Sequence, residues 1–141
     1  YFAISASMRL TPYQGVAKWM RMQAKEEMEH AEKIYEYLVE RGAQFKTSDI
    51  RKPETDVFAS PLDGFKAAYE HELKVTAQIE KICDAAEEDK DRVTCDFLAW
   101  FLKEQVEEEN NTFQFVRALE FAGDDKKLVM GVDSWAGKRA E

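Results

Sequence analysis

Glu26-Glu27-Met28-Glu29-His30 lies inside a segment, Val16 to Arg41, that contains neither glycine nor proline. Alternating steps of four and three from Val16 pick out Val16, Met20, Gln23, Glu27, His30, Ile34, Tyr37 and Arg41. That is the spacing of a helix face turned into a bundle. A carboxylate and an imidazole therefore interrupt a core stripe three residues apart, on adjacent turns of one face. A carboxylate buried without compensation costs several kcal/mol or takes up a proton. The rest of the chain must compensate it.

Upstream, Tyr1 to Met8 reads as the end of a helix without its beginning, with no N-cap and no polar leader. The first helix is therefore expected to be truncated at its N-terminus. Thr11-Pro12 is expected to start the second helix, Thr11 as N-cap and Pro12 in the first turn, and Gly42 to end it as the C′ residue. Ala43 to Ala59 shows no period, contains Pro53, and is long for a connection. Such a segment can run the height of a bundle and let the flanking helices lie parallel. Ser60-Pro61 opens a third helix whose stripe is Phe65, Tyr69, Glu72, Thr76, Ile79, Cys83 and Ala86. A polar turn, Glu87 to Asp91, leads to a fourth helix from about Arg92 to Ala122, ending at Gly123. Its stripe is read as Phe97, Phe101, Glu104, Glu108, Asn111, Phe115, Ala118 and Ala122. Asp124 is expected to cap a short fifth helix running through about Trp135. Nothing reads as a strand, a repeat or a low-complexity tract. The fold class is all-α, and residues 1–141 are expected to form one domain.

The 141 residues can bury a core, and 45% hydrophobic with 34% charged residues suits a helix-rich globular chain. No apolar run approaches the roughly 18 residues that span a bilayer, and no signal-peptide pattern opens the chain. A net charge of -8 argues against nucleic acid as the main partner and suits a protein that handles cations. Cys83 and Cys95 have no metal-ligand spacing, and two free thiols point to a reducing compartment, the cytoplasm.

Three helices thus carry acidic residues inside apolar stripes: Glu27 with His30, Glu72, and Glu104 with Glu108. Bundle-core metal sites are built this way, from Glu on some helices and Glu-x-x-His on others. Carboxylates with one imidazole suit iron or manganese, whose charge makes burying several carboxylates tolerable. Each piece has a plainer reading. Glu-x-x-His is common in charged helices, acidic runs usually mark a wet face, and Glu72 could pair with Lys or Arg at the core edge. It is the register of the three interruptions that argues for a metal site.

The segments Trp19 to His30, Tyr69-Glu70-His71-Glu72 with Val75-Thr76, and Phe97 to Glu109 resemble the non-haem ferritins of bacteria and archaea. The resemblance covers nearly the whole chain. It implies a ferritin-like four-helix bundle with a long crossover between helices two and three and a short fifth helix. It also implies ferroxidase activity coupled to iron storage and detoxification. The iron would be oxidised by O2 or H2O2 at an intrasubunit diiron site in a homo-24-mer cage. By the same resemblance Glu27 bridges two irons, His30 completes the first site, and Glu72 and Glu108 hold the second. Gln105 lies beside the pair. Glu26, Glu104, Glu107 and Glu108 resemble a third, accessory iron site. Tyr1 and Trp100 match aromatics near the centre, suited to electron transfer. The family's first ligand, a Glu one heptad before that tyrosine, would precede Tyr1.

Met28 stands where haem-binding bacterioferritins place an axial methionine. The fourth helix lacks the second Glu-x-x-His of bacterioferritins and rubrerythrins, with Glu107 three after Glu104 and Asn111 three after Glu108. No haem is expected, and Met28 is read as packing. His71, one step off its stripe, is read as a surface or hydrogen-bonding residue. Two rivals remain: a rubrerythrin-like diiron redox enzyme that stores nothing, and a metal-free helical scaffold.

Overall fold

The computed structural model describes residues 1–44, 46, 49–50 and 57–139. Among the described residues five helices follow one another: α1 (Phe2–Arg9), α2 (Gln14–Glu40), α3 (Pro61–Glu88), α4 (Arg92–Ala122) and α5 (Lys126–Ala136). No strand occurs among the described residues. The chain groups into two compact units, Tyr1–Pro61 with Asp133–Glu141, and Leu62–Val132.

In the first unit α1 packs on α2. The Tyr1 and Trp19 rings lie 6.5 Å apart, and Ser5 Oγ donates to the Ala17 carbonyl at 2.8 Å. As one index rises the other falls, so the two helices run antiparallel. Ile4, Met8, Val16 and Met20 are buried along this seam.

The start of α2 differs from the sequence expectation. It begins at Gln14, with Tyr13 as an N-cap that makes no side-chain cap bond. Thr11 ties the preceding turn instead: its hydroxyl donates to Met8 O at 2.7 Å and accepts from the Tyr13 amide at 3.1 Å. The cap comes from far away. The Val16 amide donates to Asp133 Oδ1 at 2.8 Å, and Asp133 is only 6% exposed. A carboxylate there satisfies an orphan donor and meets the positive end of the helix dipole. The approach needs a glycine, because a Cβ on Gly15 would collide with the Asp133 carbonyl.

At its far end α2 closes as expected. Gly42 has φ 70°. Its amide donates to Val39 O and the Ala43 amide to Leu38 O, both at 2.9 Å, which is a Schellman pair. The connection expected over Ala43–Ala59, with Pro53, falls partly outside the described residues.

In the second unit α3 and α4 form an antiparallel hairpin. Phe65 stacks on Phe115 with centroids 4.4 Å apart, and Ile79 packs with Leu98 and Phe101. The turn closes on Lys90 at φ 56°. Asp91 then caps α4 by accepting from the Thr94 amide at 3.1 Å and the Thr94 hydroxyl at 2.7 Å. The α3 stripe is as expected, with Phe65, Glu72, Ile79 and Ala86 buried.

On α4 the buried line is Leu98, Phe101, Gln105, Glu108, Thr112 and Phe115. Glu104 and Asn111, expected on it, are only half-buried. The alternation leaves Phe101 by a step of four, not three, which puts Gln105 and Thr112 at its centre. The α5 cap also sits one residue later than expected: Asp125 Oδ1 accepts from the Lys127 and Leu128 amides at 2.8 and 3.3 Å.

Two helical glycines should respond oppositely to alanine. Gly131→Ala adds a Cβ that meets nothing within 4 Å, and should stabilise by about 0.5–1 kcal/mol through helix propensity. Gly15→Ala should destabilise by about 1–3 kcal/mol, the usual overpacking range, because the clash is with backbone. Urea unfolding of both variants checks the signs. Two changes of the same sign would remove the close approach at Gly15 as its cause.

Candidate metal centre

In the first unit, the inward stripe of α2 turns polar over two turns. Gln23 is fully buried, while Glu27 and His30 are half-buried. Their three-residue spacing puts His30 Nδ1 3.6 Å from Glu27 Oε2. That is too long for a hydrogen bond and becomes an ion pair only when the imidazole is protonated. The pair offers one carboxylate and one imidazole side by side, a donor set that suits iron.

Glu26 leans to the flank of this pair. Its Oε2 is ion-paired with Arg139 Nη2, while Arg139 Nη1 donates to Gln23 Oε1 at 2.6 Å. The guanidinium also lies over the Trp19 ring, 4.8 Å from its centroid. Tyr1 reaches the same cluster through Trp19. Sequence reading did not single out Arg139. It follows Gly137 beyond the last helix, where Lys138-Arg139 reads as a solvated tail and no period points inward.

In the second unit the acidic residues are deeper. Glu72 is 1% exposed, Gln105 and Glu108 each 4%. Gln105 Nε2 donates to Glu72 Oε2 at 3.2 Å, to Glu72 O at 3.3 Å and to Thr76 Oγ1 at 3.2 Å. Thr76 passes the chain on by donating to Glu109 Oε1 at 2.5 Å. Glu72 thus takes a hydrogen bond from a neutral amide. Such an amide fixes the position of the carboxylate by a hydrogen bond. Glu108 is held on the same stripe, its turn tightened by Thr112 Oγ1 donating to Glu108 O at 2.7 Å.

The remaining expected residues of α4 lie on turns adjacent to these, Glu104 half-buried and Glu107 exposed. Trp100 is half-buried, its ring edge-on to Phe101 at 4.8 Å. His71 is exposed, as expected. Met28 is not packing material within this chain, because it lies on the outer side of α2 and is 65% exposed.

Comparison with known proteins bears on this arrangement. The ferritin-like domain family matches residues 1–122. A bacterial non-heme ferritin of Staphylococcus aureus (strain USA300) is 37% identical over 139 residues, 99% of this chain and 83% of that protein. One from Staphylococcus haemolyticus is 39% identical over 125 residues, 89% of this chain and 75% of that protein. Among solved structures, an open pore ferritin from the hyperthermophilic archaeon Archaeoglobus fulgidus superposes with a TM-score of 0.95 at 34% identity, over 99% of this chain and 86% of that one. The fold class is therefore the one expected from the sequence, an all-α four-helix bundle of ferritin type with a short fifth helix. The chain belongs to the ferritin-like domain family.

Proposed function

We propose that this chain is an iron-storing ferroxidase: it oxidises Fe(II) to Fe(III) at a site inside the subunit and deposits the product in a cage. The observation that carries this reading is the burial of Glu72 and Glu108 at 1% and 4% exposure on stripes that are otherwise largely apolar. Two buried carboxylates are a donor set that iron can use, and the family supplies that cation as substrate. Glu27 with His30 would hold one Fe(II), Glu72 with Glu108 a second, and Glu27 would bridge them. Two Fe(II) each lose one electron to O2, which takes up two protons and leaves as H2O2; H2O2 can serve as oxidant in its place.

The protein's own part is to hold the donors. Gln105 fixes Glu72 and hands the hydrogen bond on to Thr76. Tyr1 beside Trp19 offers an aromatic route for an electron. Glu26, Glu104, Glu107 and Glu108 would form an accessory iron site from which product moves on. Residues 1–141 would form one ferritin-like domain.

Assembly belongs to the same proposal. The outer side of α2 shows Met28, Tyr35 and Val39 at 65%, 43% and 48% exposure, an apolar row that a homo-24-mer would cover. Among the described residues no helix is long and apolar enough to cross a membrane. With Cys83 and Cys95 as free thiols, the cytoplasm is the compartment proposed.

Anaerobic Fe(II) titration of the full-length chain, followed by oxygen and near-UV absorbance, tests the reading. A store should take up many irons per assembly, a redox enzyme about two per subunit, and a scaffold none. Glu27→Ala should abolish fast oxidation while the shell still assembles; near-normal rates would remove Glu27 from the bridging role.

A second test concerns Gln105. Gln105→Leu should lower the stability of the metal-free protein by about 1–3 kcal/mol, because a buried acceptor loses its donor. The loss should shrink once Zn(II) is bound. Equal losses with and without Zn(II) would leave Gln105 as packing alone.

A further inference from the structure

We propose that Arg139 is a latch on cation binding at Glu26, so that a metal ion at this carboxylate must compete with the guanidinium for it. The proposal rests on the reading of Glu27 and His30 as cation ligands. Three contacts hold Arg139 in place. Nη2 is ion-paired with Glu26 Oε2, Nη1 donates to Gln23 Oε1 at 2.6 Å, and the planar group lies 4.8 Å from the centroid of the Trp19 ring. Gln23 is fully buried on the stripe, one turn before Glu27. The guanidinium is thus tied to the same helix face that carries the proposed ligands.

The strap that delivers it is itself fixed. Asp133 accepts from the Val16 amide at 2.8 Å, and Lys18 Nζ donates to Gly137 O at 3.2 Å. Gly137 in turn fits against Gly15 without room to spare. Arg139, two residues further, has little choice of where to land.

Two physical consequences follow. Glu26 and His30 are four apart on α2, and therefore neighbours on its surface. A cation held by His30 would find Glu26 within reach, and would share that carboxylate with Arg139. The guanidinium also places a fixed positive charge beside that position, which disfavours a second cation there. The latch is exchangeable: the Arg139 and Glu26 side chains are half-buried, 23% and 33% exposed, so water can reach both charges when the pair opens. The pair therefore lowers the affinity of Glu26 for metal without abolishing it, as an exchange site needs.

Calorimetric titration of Zn(II) into the iron-free assembled protein tests this without turnover. Arg139→Gln should tighten one Zn(II) site by about tenfold. Arg139→Lys should tighten it less, because an ammonium keeps the charge but loses the forked contacts. Glu26→Gln should remove that site whichever residue stands at 139. Unchanged or weaker Zn(II) binding in Arg139→Gln overturns the latch. Should Arg139→Gln fail to assemble, Arg139→Lys decides by the same sign. Zn(II) bound but indifferent to residue 139 overturns the latch alone. No Zn(II) bound by the parent protein overturns both the latch and the ferroxidase reading.

Discussion

A carboxylate removed from water must be given something in return, and Glu72 at 1% exposure is where this protein meets that demand most sharply. The nearest answer is Gln105, whose amide reaches Glu72 from the facing helix and also reaches Thr76. This fixes the pairing of α3 and α4 at one level of the hairpin. The aromatic stack of Phe65 on Phe115 at one end and the packing of Ile79 on Leu98 and Phe101 at the other follow from the same register. A slip of one helical turn would separate all of these pairs together. The apolar contacts supply most of the energy, since stacking alone adds only about 0.5–1.5 kcal/mol. The polar contact supplies the uniqueness, because an unsatisfied Glu72 is far worse than a shifted Phe.

The same constraint explains which features the sequence displayed. Stripes on α2 and α3 were legible because burial imposes a period, and Glu27, His30 and Glu72 stood out as violations of it. Helix ends at Gly42 and Gly123 were legible because a left-handed residue favours glycine locally. On α4 the period was visible but its phase was not. Glu104 and Gln105 are adjacent and both polar, so the pattern alone could not tell which one faces inward. Only the hydrogen bonds of Gln105 decide it.

What stayed hidden was non-local. Thr11-Pro12 carries every local sign of a helix start, yet the Val16 amide takes its cap from Asp133, 117 residues away. No propensity encodes such a partner. Gly15 offered a hint that could not be interpreted alone, since a glycine in a first turn usually signifies nothing. Its meaning lies in the backbone that comes against it. Arg139 is hidden for the same reason: its place is dictated by the docking of α5 residues Asp133 to Ala136 and by Gly137, not by its own neighbours in sequence.

That docking bears on how α2 can do two jobs. Along its inward stripe Val16, Met20 and Gln23 are buried, Glu27 and His30 half-buried, and Ile34 is 42% exposed. The buried end is rigid, clamped by α1 and by the Asp133 cap. The proposed ligand pair, Glu27 and His30, sits where that clamp ends. A site that must take in a hydrated cation and give up its product cannot be sealed in the core, yet its donors must be held still to select a metal. Placing Glu27 and His30 one and two turns beyond Gln23 meets both needs. Arg139 touches Gln23 and Glu26 at this boundary. There, as the proposed latch, it would couple the fixed part of the helix to the exchangeable part, using charge, which a departing or arriving cation can sense, where a packed apolar side chain could not.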